Sequence, residues 1–231
     1  MLPENEKSTD AAAALRRARL PKATVPRTYT RIAPFHDVLA MLVEAKARRL
    51  GLEWAAVQDG ERVLEVAVGT GLSFHHLLRR NPHGFTEGID LTPAMLKRAR
   101  RRAARSGVET YRLALGDAYA LAFPDAAFDL VLNSYMFDLL PTADFTPVLR
   151  EFYRVLRPGG RLVMVNMTQG ARWYNHLWES LYRLYPPLMG GCRGVVVEPF
   201  LRDAGFVNTR RAYVSQWTFP SEVVYGEKPD G

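Results

Sequence analysis

Residues 61–80 read ERVLEVAVGTGLSFHHLLRR: a compact β-rich run, then VGTG, then a helical stretch. A strand, a glycine turn and a helix in that order open a parallel α/β layer. Working outward, the alternation continues. FTEGID (85–90) is a second short strand, and Thr92-Pro93 after it starts a helix, the hydroxyl capping free amides and the ring fitting the first turn. That helix runs to about Arg105 and stops at Gly107. ETYRLALG (109–116) is a third strand and FDLVLNS (128–134) a fourth, fully buried one. A helix over 144–156 is ended by the Arg-Pro-Gly-Gly of 157–160, and RLVMVNM (161–167) is a fifth strand. Strands separated by helices demand right-handed crossovers and a parallel sheet covered on both faces. Two last β-rich pieces, near 206–216 and 221–227, leave no space for a crossover helix and must pair as an antiparallel hairpin. The expected fold class is α/β, doubly wound and mostly parallel, with that hairpin at its end.

On either side of this alternation the chain changes character. Residues 1–26 read as a flexible arm, with AAAALRRARL able to form a short helix and PKATVPR a linker. HDVLAMLVEAKARRL (36–50) has apolar residues at helical spacing and meets Gly51, a helix stop. Residues 168–200 are rich in aromatics and broken by Pro186, Pro187, Gly190 and Gly191.

Length and composition narrow the class further. The 231 residues make one domain with appendages, and 48% apolar with 24% charged residues exclude disorder, collagen and coiled coil. Cys192 is the only cysteine, so there is no intrachain disulfide and no cluster for zinc or iron–sulfur, and no metal is expected. No apolar run approaches the ~20 residues of a membrane span. The start, MLPENEKSTD, is unlike a signal peptide, and a cytoplasmic location is expected.

The chain carries a net charge of +7 and a pI near 9.7, which permits attraction to nucleic acid or to the surface of an anionic membrane. The charge is densest at Lys97, Arg98, Arg100, Arg101, Arg102 and Arg105. On a helix these lie opposite an apolar stripe of Met95, Leu96, Ala99 and Ala103.

In a doubly wound sheet, ligands bind at the carboxyl ends of the strands, and the informative residues lie there. Gly69 and Gly71 allow a tight turn and close approach to a ligand. A dinucleotide fingerprint needs a small residue three beyond Gly71, where Phe74 stands, and there is no P-loop. A ligand without phosphates is favoured. Asp90, ending the second strand, suits the two hydroxyls of a ribose. Asp117, between Gly116 and Ala118, suits an adenine amine, and Glu65 suits an ammonium. Each could be structural instead: Asp90 a helix cap, Asp117 a turn residue, Glu65 the partner of a buried base. Jointly they describe adenine, ribose and a zwitterionic tail.

VLEVAVGTGL, GIDLTPAML, GDA, FPDAAFDLVL and LRPGGRLVMVN resemble the successive motifs of class I S-adenosylmethionine-dependent methyltransferases. Within these the chain is most similar to the branch of ubiquinone/menaquinone C-methyltransferases and phospholipid N-methyltransferases. RTYTRIAPFHDVL resembles that branch's N-terminal segment, which helps to close over the cofactor. The resemblance spans about residues 27–165. It implies a Rossmann-like methyltransferase domain over 27–231, with an N-terminal lid helix in 27–60 and a substrate lid in 168–200.

The same resemblance implies S-adenosyl-L-methionine as cofactor, held by Glu65, Ala67, Gly69, Thr70, Gly71, Asp90, Leu91, Gly116, Asp117, Ala118 and Asn133. Asn133-Ser134-Tyr135 would face the methyl group. Ala67 stands where the family has a first glycine, and the turn survives this if φ there is negative. His36 stands where the family often has tyrosine.

Methyl transfer is an in-line displacement, so alignment and exclusion of water matter most. A general base is needed only for a protonated acceptor. The candidates are His36, which leads, with Tyr135, Asp37, His75, His76 and His176. Methylases of base amines resemble one another in an Asn/Asp-Pro-Pro-Tyr/Phe segment, and Asn133-Ser134-Tyr135-Met136 lacks both prolines, which argues against a nucleic-acid substrate. A small, hydrophobic or lipid-like methyl acceptor is expected. An RNA or protein methyltransferase and a non-catalytic S-adenosylmethionine-binding protein are the alternatives. Carbon, nitrogen and oxygen acceptors all fit.

Overall fold

The computed structural model describes residues 43–169 and 193–231. Seven strands form one sheet: β1 (Arg62–Val66), β2 (Phe85–Asp90), β3 (Tyr111–Leu115), β4 (Phe128–Ser134), β5 (Leu156–Met167), β6 (Val207–Gln216) and β7 (Phe219–Glu227). Their order is β3-β2-β1-β4-β5-β7-β6. The first five are parallel; β7 runs antiparallel to both β5 and β6, as expected for the terminal hairpin. The order reverses between β1 and β4, so a crevice opens there at the carboxyl ends of the strands.

Helices α1 (Ala45–Ala55), α2 (Leu72–Arg80) and α3 (Pro93–Ala103) cover one face, and α4 (Phe145–Val155) and α5 (Glu198–Asp203) the other. Phe128, Phe137, Phe145 and Phe152, all essentially buried, fill the α4 side, the last three in edge-on ring contacts. Leu77, Leu130, Leu132 and Val163 fill the α1 side. On α3, Met95, Leu96, Ala99 and Ala103 are the buried stripe anticipated from the sequence. The outward charges are not all idle, because Arg102 donates to the Thr70 carbonyl at 2.7 Å and Arg100 to that of Leu113 at 3.1 Å.

Three local expectations are corrected. Gly51 does not stop α1 but lies within it, because a Cβ there would come 2.7 Å from Val165 Cγ2, so the glycine brings the helix down onto β5. The stop comes later, where Ala56 turns left-handed and the Arg161 Nε donates to the Ala55 carbonyl at 2.6 Å. The Arg-Pro-Gly-Gly segment likewise belongs to β5, which starts at Leu156 directly after α4 and shifts register between Phe128 and Leu130 of β4. Thr92 holds the cap position of α3 without a side-chain bond to the helix, and the Thr92 amide is instead taken by Asp90 Oδ1 at 2.8 Å.

Phe74 shows how the glycine turn departs from a dinucleotide site. The ring is fully buried, and the small residue it requires is Gly88 of β2, where a Cβ would sit 2.8 Å from Phe74 Cε2.

Candidate functional site

The bend after β1 is built from three left-handed residues: Ala67 (φ 59), Gly69 (φ 57) and Gly71 (φ 82). The condition set for Ala67 is not met, since its φ is positive, and an L-residue pays about 1–2 kcal/mol there. The bend is held from outside: the Val68 amide donates to the Ile89 carbonyl, the Gly71 amide to that of Val68, and Arg102 reaches both Thr70 oxygens. The two glycines differ in purpose. A Cβ on Gly69 would meet nothing within 4 Å, whereas one on Gly71 would lie 3.0 Å from Ala99 Cα. Gly69 therefore leaves open the space a ligand would take, and Gly71 lets α2 pack on α3.

Around the bend lies a cleft with about 950 Å³ of empty space, its open mouth included. That is within the usual size for a small-molecule site. Glu65 of β1 lines it and is 2% exposed, and its Oε2 has no partner. Burial, and then the nearby Asp90, push its carboxyl well above the usual carboxylate range, against the opposing pull of Arg48. Asp90 is 9% exposed, with Oδ2 accepting the Gly69 amide at 2.8 Å and Oδ1 that of Thr92. Each oxygen keeps a second lone pair for a ligand hydroxyl. Burial raises its pKa too.

Two cleft residues were missed by the sequence reading: Glu44, just ahead of α1, and Arg48 within it, paired at 2.7 Å. Burial lifts the Glu44 carboxyl to about 7. The signal was the acid–base spacing of four in a segment read only for its apolar period.

The structure brings Glu65, Ala67, Gly69, Thr70, Asp90, Leu91, Gly116, Ala118 and Tyr135 to the cleft wall, together with Ser134, Met136 and Leu139. Three expected residues lie off it. Gly71 serves the helix packing just described. Asp117 is exposed beside the wall and turns Oδ1 to the Tyr119 amide at 3.0 Å, as an Asx turn does. Asn133 is fully buried beneath it, its Nδ2 donating to the Val66 carbonyl at 2.9 Å and so joining the ends of β1 and β4.

Tyr135 has a left-handed backbone (φ 53), and its hydroxyl pairs with Ser221 Oγ at 2.9 Å. Burial, and then Glu44, hold its phenol well above its ordinary pKa. His75 and His76 lie on α2, off the wall. His36, Asp37, His176 and Cys192, the arm over 1–26, the lid helix up to residue 42, and residues 170–192 of the substrate lid lie outside the described residues. Among the described residues no cluster of His, Cys, Asp or Glu could hold a metal ion, and no helix is long and apolar enough to cross a membrane.

Among the described residues, three carboxyl groups and one guanidinium share this wall. An orphaned buried Glu65 oxygen, an open glycine and a half-used Asp90 fit a ligand with an ammonium and hydroxyls.

Comparison with known proteins agrees with this chemistry. Residues 63–160 match the family model described as a methyltransferase domain. The chain is 37% identical over 170 residues to the demethylmenaquinone methyltransferase of Thermus thermophilus, covering 71% of this chain and 75% of that protein. Its fold resembles that of a Haloferax volcanii methyltransferase solved with the activator Trm112 (TM-score 0.67, 20% identity, 88% of this chain and 95% of that one). It also resembles a Haemonchus contortus phosphoethanolamine N-methyltransferase holding S-adenosylhomocysteine (TM-score 0.63, 15% identity, 80% of this chain and 52% of that one). The chain belongs to the S-adenosylmethionine-dependent methyltransferase family, with a mostly parallel Rossmann-like sheet.

Proposed function

We propose that the chain moves a methyl group to a small, apolar, lipid-like acceptor of the quinol type for which its relatives are named. The observation that carries the reading is the mixed lining of the cleft: the charged or acidic Glu44, Arg48, Glu65 and Asp90 share it with the apolar Leu72, Met136 and Leu139. Beside Tyr135, the side chains of Val43, Met167 and Phe219 form a small buried apolar cluster.

In this reading Glu65 holds the ammonium of S-adenosylmethionine, Asp90 the ribose and the Gly116–Ala118 edge the adenine. Asp117 offers the adenine amine its Oδ2, since the Tyr119 amide takes only Oδ1. When bound, the cofactor supplies a methyl activated by its sulfonium. The chain's own work is then to align the acceptor and keep water out. Tyr135 and Ser134 edge the acceptor side, and the neutral phenol orients an acceptor oxygen without removing its proton. Where the acceptor atom carries a proton, its removal falls to His36. The basic face of α3 favours approach to an anionic lipid surface, where such an acceptor resides.

The test is purified protein with labelled S-adenosylmethionine and a short-chain demethylmenaquinol. Transfer of label to the quinol, with the mass gain of one CH₂, is the expected result. Absence of quinol methylation alongside labelling of RNA or protein overturns the reading.

A further inference from the structure

The S-adenosylmethionine tail carries a carboxylate as well as an ammonium, and neither Glu65 nor Asp90 can be the counter-ion of the former. The need for a cation in the cleft therefore rests on reading it as the cofactor pocket. Among the described residues that line the cleft, Arg48 is the only cation. Its side chain is 11% exposed and is tethered to Glu44 Oε2, one turn earlier in the chain. Among the described residues that is its only side-chain hydrogen bond. A guanidinium has five N–H donors, so most of its capacity is left over. Its present partner is also a poor counter-ion near neutral pH, because burial lifts the Glu44 carboxyl to about 7. Arg48 and Glu65 line the same cleft, and the guanidinium opposes the rise that burial gives the Glu65 carboxyl.

We propose that Arg48 is the carboxylate subsite of the cofactor pocket, its guanidinium binding the α-carboxylate while Glu65 takes the ammonium and Glu44 holds the guanidinium in place. Charge-assisted pairing of a planar fork with a carboxylate is what arginine does best. The arrangement makes the pocket selective for a ligand that keeps its carboxylate. α1 becomes part of the cofactor site rather than only a cover over β5.

The experiment is calorimetric titration of the full chain with S-adenosylmethionine and with its decarboxylated form. The wild-type chain is expected to prefer the carboxylated ligand by about tenfold or more, the scale of one charged hydrogen bond. Arg48→Gln should weaken S-adenosylmethionine by about 10- to 100-fold and leave the decarboxylated ligand within about twofold. Arg48→Lys should recover part of the preference. Equal loss of both ligands, or no preference in the wild-type chain, overturns the subsite. If Arg48→Gln does not fold, the wild-type preference and the Arg48→Lys variant decide on the same criteria. A wild-type chain that binds neither ligand overturns the cofactor assignment itself, a result distinct from equal binding of both.

Discussion

The Asp90 carboxylate accepts the Gly69 amide at 2.8 Å, so the acid that ends β2 also fixes the bend that follows β1. Removing it therefore does two things. Asp90→Ala is expected to weaken S-adenosylhomocysteine by about 1.5–3 kcal/mol, and also to lower stability by about 1–3 kcal/mol by freeing the part-buried Gly69 amide and the buried Thr92 amide. Calorimetry and urea unfolding measure the two losses separately. Unchanged affinity sinks the ribose assignment, and unchanged stability sinks the bracing role.

Gly69 and Gly71 should respond differently to the same change. Gly69→Ala adds a methyl where nothing lies within 4 Å, so the fold should lose only the ~1 kcal/mol of left-handed strain while binding falls tenfold or more. Gly71→Ala drives a methyl against Ala99 and should cost about 1–3 kcal/mol more in unfolding free energy. Thermal melts with and without S-adenosylhomocysteine distinguish them. Equal behaviour of the two variants contradicts this division of labour.

Ala67 offers a gain. With φ at 59, Ala67→Gly removes left-handed strain, offset in part by the greater freedom of glycine in the unfolded chain. The net expectation is about 0.5–1 kcal/mol of added stability in urea unfolding. A loss instead would mean that the methyl packs usefully.

The carboxyl of Glu44 links stability to pH. A group whose pKa is higher folded than unfolded stabilises the fold when protonated. Its contribution is complete below its ordinary 4.5 and fades as pH rises through about 7. At 1.36 kcal/mol per pH unit, that shift bounds the effect near ~3 kcal/mol. Glu65 and Asp90 shift in the same direction, so the ligand-free protein should weaken from about pH 5 to about pH 8. Glu44→Gln should flatten the profile in urea unfolding. A wild-type protein more stable at the alkaline end of that range contradicts the electrostatic account.

Most of the sheet was legible because its signals are local. FDLVLNS is β4 to the residue, FTEGID is β2, and Met95, Leu96, Ala99 and Ala103 are the buried stripe of α3. Some of the failures involve partners distant in sequence. Gly51 looked like a stop because nothing nearby announces Val165, more than a hundred residues on. Phe74 argued correctly against a dinucleotide, but its complement Gly88 showed only in three dimensions. In the site, Glu65, Gly69 and Asp90 follow from strand ends alone. Asp117 and Asn133 do not, because side-chain direction depends on the turn and the pairing made. Glu44 and Arg48 were hidden behind an apolar period that was easier to see.

Where β5 ends, Thr168 bridges to Val195, the Val195 amide donates to the Met167 carbonyl, and the Arg193 amide donates to the Asp138 carbonyl. The chain thus departs from the sheet and rejoins it at nearly one point. A change in the number of residues between these two points therefore costs little in closure entropy, since that cost rises only with the logarithm of length.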